Sequence, residues 1–163
     1  MYSQKFLAAV SHVLAFEGGF ADNKYDSGGR TKYGISQRQY PNLDISSLTK
    51  AQATELYFKD YWSKTMLDEI EEDVCSTKIF DLLINAGQKA SALCAQRAIR
   101  SNQIEVAEDG KLGPQTVNAI NHIPPVSFLA ALRSEAAGYY RNLVAMKSDQ
   151  KVFLNGWLRR AYS

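Results

Sequence analysis

Apolar residues recur near the start of the chain at Phe6, Ala9, Val10, Val13 and Leu14, a spacing of three and four that lines one face of a helix over residues 3–18. Gly18 and Gly19 end that helix, because glycine readily takes the left-handed conformation of a helix stop. A second helix follows Thr49, which forms a capping box with Gln52, and carries Ala53, Leu56, Tyr57 and Tyr61 as its apolar stripe. Tyr61 and Trp62 have an alternative use as stacking faces in a sugar groove. Ile79, Phe80, Leu82, Leu83 and Ile84 make a strongly apolar helix in which Asp81 and Asn85 share one face. There Asp81 reads as structural, within an internal pair, and Asn85 as groove-lining.

A helix over about 89–101 leads into a polar stretch, 102–108, and then a turn at Asp109-Gly110. Pro114 fits the first turn of the next helix. After Pro124-Pro125 a long helix bears Phe128, Leu129, Leu132, Ala136, Tyr139, Tyr140 and Leu143. The pattern predicts a mainly α fold with a small extended element at 33–35.

At 163 residues and 45% apolar composition, the chain can fill one sizeable core or two small subdomains that share an interface. A net charge of +2, with no basic run interleaved with aromatics, gives no footprint for nucleic acid. Cys75 and Cys94 lack metal-ligand spacing and read as buried small apolar residues; a disulfide between them would need oxidising surroundings. His12 reads as a core residue of the first helix, and His122 completes no site, so no metal or other cofactor is implied. The run Phe6 to Val10 is too short for a signal core and is broken by Ser11 and His12, so no signal peptide is expected. No apolar stretch approaches the ~20 residues that span a membrane.

The candidate chemistry lies between the first helix and the extended element. Glu17 falls in the last helical turn, where the negative end of the helix dipole disfavours its ionised form and suits it to donate a proton. Asp26 follows in a loop with Gly28, Gly29, Thr31 and Gly34, small residues that let backbone and ligand approach closely. Two carboxylates so arranged can serve glycoside hydrolysis, one protonating the leaving oxygen and the other activating water or stabilising an oxocarbenium-like charge. Taken singly, Glu17 reads as a solvated helix-end charge and Asp26 as a turn cap.

Their joint pattern resembles glycoside hydrolase family 108, lysozyme-like muramidases of phage endolysins and secretion-associated hydrolases. The likeness rests on Glu17-Gly18-Gly19-Phe20, on Asp26-Ser27-Gly28-Gly29-Arg30-Thr31, on Tyr33-Gly34-Ile35, and on the run from Phe80 and Asp81 to Asn85 and Gly87. The order Glu17, Asp26, Thr31 is also similar to the triad of phage T4-type lysozymes, with one residue fewer between Asp26 and Thr31. Downstream, Gln96-Arg97 with Asp109-Gly110, Gly113 and Thr116 resembles the motif of small helical peptidoglycan-binding modules. The close at Gly156-Trp157-Leu158-Arg159-Arg160 is similar to the family's own.

The resemblance implies a lysozyme-like helical fold, with a catalytic region over 1–95 and a peptidoglycan-binding-like region over 96–163 packed on it. That second region reads either as a separable binding module or, with no linker before it, as the other wall of the cleft. The implied enzyme is a muramidase that cuts the β-1,4 bond between N-acetylmuramic acid and N-acetylglucosamine without a cofactor. Glu17, Asp26 and Thr31 would be catalytic, and Tyr33 and Asn85 would bind substrate. The expected partner is peptidoglycan, whose carboxylates suit a mildly basic chain, with neither nucleic acid nor membrane insertion. A monomer made in the bacterial cytoplasm would reach the wall through a holin or a dedicated export system. Two alternatives stay open: a non-catalytic wall-binding or secretion-accessory protein, and a chitinase- or chitosanase-type glycosidase. An amidase or peptidase would usually show a zinc His cluster or a Cys-His pair.

Overall fold

The apolar face of the first helix is buried. In the computed structural model, which describes residues 1–16 and 30–163, Phe6, Ala9, Val10, Val13 and Leu14 of α1 (Gln4–Phe16) all turn inward. The chain divides into two compact units, Met1–Lys64 and Thr65–Ser163.

In the first unit α1 is followed by a two-stranded antiparallel hairpin, β1 (Thr31–Lys32) and β2 (Ile35–Ser36), and by α2 (Lys50–Asp60). The capping box of α2 forms as expected: Thr49 Oγ1 accepts from the Gln52 N–H and the Gln52 side chain accepts from the Thr49 N–H. A single 3₁₀ turn, Trp62–Lys64, follows. The core gathers aromatic rings, with Phe6 edge-on to Tyr2 and Phe58 and 5.4 Å from Trp62. Trp62 is only 1% exposed, so it is a core residue and not a sugar platform.

The second unit is built from α3 (Asp73–Ala86), α4 (Gln88–Ser101), α5 (Pro114–Asn121), α6 (Pro125–Met146) and α7 (Leu154–Tyr162). Helix α6 packs on α3, α4 and α7, burying Phe128, Leu132, Ala136 and Tyr140 from the stripe seen in the sequence. Pro114 and Pro125 occupy the first turns of α5 and α6, where the missing N–H has no helical partner to lose. Gly87, at φ +88°, separates α3 from α4 and lets them fold back on each other. With seven α-helices and one two-stranded sheet among the described residues, the fold is mainly α. None of the described helices is long and apolar enough to cross a membrane.

Cys75 and Cys94 are free thiols, each 2% exposed, as expected of small apolar core residues. Burial pushes both up to about 11.

Candidate functional site

Among the five residues singled out by sequence, Thr31, Tyr33 and Asn85 are described, while Glu17 and Asp26 lie outside the described residues. Thr31 sits in β1 opposite Ser36, and Lys32 opposite Ile35. Tyr33 and Gly34 link the strands, both with positive φ, +53° and +76°. Positive φ at both positions is what a two-residue hairpin needs for its turn to match the strands' twist. Glycine takes it freely; for tyrosine it is strained, and something must hold it.

The holding comes from α2. The buried Tyr57 hydroxyl donates to the Tyr33 carbonyl at 2.7 Å. One turn on, the Tyr40 hydroxyl donates to Asp60 Oδ2 at 2.7 Å, and Gln39 Nε2 donates to the Tyr61 hydroxyl at 2.6 Å. The bond from Tyr40 lowers the pKa of Asp60, while burial above all raises that of Tyr40. Below the hairpin, Lys32 Nζ donates to the Ser46 carbonyl at 2.8 Å, and Gln37 Nε2 gathers the carbonyls of Tyr40, Pro41 and Leu43. Thr31 and Tyr33 thus stand on a short hairpin fixed from two sides.

Asn85 is exposed near the end of α3, and its Nδ2 donates to the Asp81 backbone carbonyl at 2.7 Å. The internal side-chain pair expected of Asp81 and Asn85 is not what forms. The Asp81 carboxylate instead pairs with Arg160 of α7, Nε to Oδ1 at 2.8 Å, with Lys78 Nζ 3.9 Å from its other oxygen. Lys78 also donates to the Arg160 carbonyl, and its burial lowers its pKa. Asp81 is structural, as expected, but its partner lies in the last helix.

The motif after α4 also turns inward. Gln96, 1% exposed, donates through Nε2 to Asp109 Oδ1 (2.7 Å), the Lys111 carbonyl (3.0 Å) and Thr116 Oγ1 (3.3 Å), and accepts the Gly110 N–H through Oε1 (3.0 Å). A single amide therefore fixes the Asp109-Gly110 turn and the start of α5. On the outer face Arg97 and Arg100 both bridge to Glu108, at 2.9 and 2.8 Å.

One site is not visible in the sequence pattern. A groove of about 440 Å³ opens beside the junction of α3 and α4, lined in part by Ala86, Gly87, Ala90 and Leu93. Lys89, Arg97 and Tyr139 of α6 also line it. In the sequence Tyr139 is simply one member of an apolar stripe. The signal that points to the groove is Lys89 and Arg97, two turns apart on α4 just after Gly87.

Comparison with known proteins shows what the chain is similar to. Residues 10–87 match the family model described as glycosyl hydrolase 108, and residues 90–162 match the one described as predicted peptidoglycan domain. No curated protein matches the chain. The solved structure of Brucella abortus SagA is similar over 96% of this chain and 88% of that one, with a TM-score of 0.78 at 24% identity, which shows the fold. The N-terminal part of the chain belongs to the glycosyl hydrolase 108 family and is followed by a peptidoglycan domain, so the protein is a glycoside hydrolase acting on peptidoglycan.

Proposed function

We propose that this enzyme is an N-acetylmuramidase in which Glu17 protonates the glycosidic oxygen between N-acetylmuramic acid and N-acetylglucosamine. Asp26 orients water or stabilises the developing positive charge, and Thr31 helps to hold that water. Tyr33 and Asn85 bind the glycan. The observation that carries this reading is the glycosyl hydrolase 108 match over 10–87, a span that contains all five residues. The clamped hairpin supports it, because a catalytic hydroxyl must be held to a fraction of an ångström. Asn85 supports it as well: its Nδ2 is engaged within α3, which orients the exposed amide.

The biological role is opening of the bacterial wall, in phage lysis or in the release of proteins through it. The chain is made in the cytoplasm and acts as a monomer in the periplasm, which it reaches through a holin or a dedicated export system.

Mass spectrometry of the fragments released from purified sacculi tests the reading. The expected products end in N-acetylmuramic acid, and Glu17→Gln lowers their release by about 10²- to 10⁴-fold in a folded protein. Products ending in N-acetylglucosamine, or a fully active Glu17→Gln protein, would overturn the assignment. Cleavage of chitin oligomers in preference to sacculi points instead to a chitinase, and binding with no release to a wall-binding protein.

A further inference from the structure

We infer that the groove at the α3–α4 junction binds the stem peptide of peptidoglycan, with Lys89 receiving a peptide carboxylate. The inference rests on peptidoglycan being the substrate, and it concerns residues other than Glu17, Asp26 and Thr31.

The groove's volume, about 440 Å³, lies in the range of small-ligand sites and suits a few residues of extended peptide. Ala86, Gly87, Ala90, Leu93 and Cys94 line it beside Gln88, a mostly apolar surface of small side chains that suits an alanine-rich peptide. Stem peptides are rich in alanine. They also carry the free carboxylates of peptidoglycan, since the N-acetylated glycan is neutral wherever a peptide caps its lactyl group.

The cationic side of the match falls to Lys89. Arg97 is engaged through Nε by Glu108, which offsets its charge. Lys89 is exposed and has no ion pair or hydrogen bond among the described residues. Its stem runs close against the Asp109-Gly110 turn: Lys89 Cγ lies 2.9 Å from where a β-carbon on Gly110 would stand. Only a glycine leaves room for the lysine stem there, and Gln96 holds that glycine by its N–H. The inward-facing motif thus borders the Lys89 stem at the groove. Tyr139 adds a half-buried phenol whose hydroxyl has no hydrogen bond among the described residues, placed to meet a peptide amide.

Calorimetric titration of the full chain with two probes tests this: a disaccharide-tetrapeptide, too short to be cleaved further, and the same disaccharide with its lactyl carboxyl capped as a simple amide in place of the peptide. The expected result is that the peptide-bearing probe binds at least tenfold more tightly. Lys89→Glu abolishes that advantage, and so does Ala90→Trp, which fills the groove and keeps the charge. Circular dichroism confirms that both variants are folded. Equal binding of the two probes, no binding of either, or variants that retain the wild-type preference would overturn the inference. Hydrolysis of sacculi by the wild type, measured alongside, separates the two levels. Hydrolysis of sacculi alongside equal binding of the two probes sinks the groove assignment alone, whereas no release sinks the hydrolase mechanism beneath it.

Discussion

At the scale of single residues, Tyr57 shows how a side chain can be placed correctly by pattern and yet have its role hidden. The stripe of α2 predicts its burial, and it is 1% exposed. Nothing in the stripe announces that its hydroxyl reaches back 24 residues to the Tyr33 carbonyl and holds a backbone at φ +53°. A positive φ at tyrosine costs on the order of 1–3 kcal/mol, and a buried hydrogen bond offsets about 1 kcal/mol of it. Tyr57→Phe is expected to destabilise the protein by about 1 kcal/mol in urea unfolding. Turnover of solubilised peptidoglycan should fall several-fold with it, since Thr31 shares the hairpin. Tyr33→Gly in the Tyr57→Phe background should recover stability, because glycine adopts that turn without strain. Unchanged stability and turnover in Tyr57→Phe would show that the turn holds itself.

At the scale of elements, helix starts and turns are legible in the sequence because their chemistry is local. Thr49 with Gln52, Asp109-Gly110, Pro114 and Pro125 each act within a few residues, and each appears where the sequence puts it. The link from α4 to α5 is half legible. Its motif resembles that of wall-binding modules, but a motif cannot tell whether its polar groups face a ligand or one another. In the fold Gln96 is enclosed, with Asp109, Gly110, Lys111 and Thr116 around its amide. Gln96→Leu keeps the volume but removes every one of those bonds, leaving the Gly110 N–H and the Lys111 carbonyl to lose a partner. The expected cost is about 1–3 kcal/mol, read from the denaturant midpoint at constant slope. A neutral result would mean that the Asp109-Gly110 turn is set by its own backbone preferences.

At the scale of the whole molecule, both cysteines bear on stability at alkaline pH. Cys75 and Cys94 are raised from 9.0 to about 11 by burial, so between those values the fold keeps protons that the unfolded chain releases. Their contribution is fully present below pH 9 and is lost as pH rises from 9 to 11. The Cys75→Ala/Cys94→Ala protein should lose less stability between pH 8 and pH 11 than the wild type, whatever its starting value. Parallel stability curves would show that other alkaline groups, such as the buried Tyr140, account for the fall.

The division of the chain is the least legible feature, because it depends on packing between distant segments. The family models meet between residues 87 and 90, whereas the compact units part at Lys64 and Thr65, before α3. Helix α3 carries the Phe80 to Gly87 segment of the hydrolase family, yet it packs on α4 and α6 and is tied to the end of the chain by Asp81 and Arg160. That pair joins residues 79 apart, and no local pattern reveals it. Truncation after Ser101 removes Arg160 from Asp81 and takes away α6, which packs on α3 and α4 and buries Phe128, Leu132, Ala136 and Tyr140. Orphaning one member of a buried ion pair costs roughly 3–5 kcal/mol, and each large apolar side chain stripped from the core adds about 1.5–3 kcal/mol. A domain's whole stability is about 5–15 kcal/mol, so the losses exceed what α3 and α4 can bear. The fragment 1–101 is therefore expected to be insoluble or unfolded and to release nothing from sacculi. A soluble fragment with native helicity and measurable hydrolysis would instead make residues 102–163 a separable accessory to a self-sufficient catalytic domain.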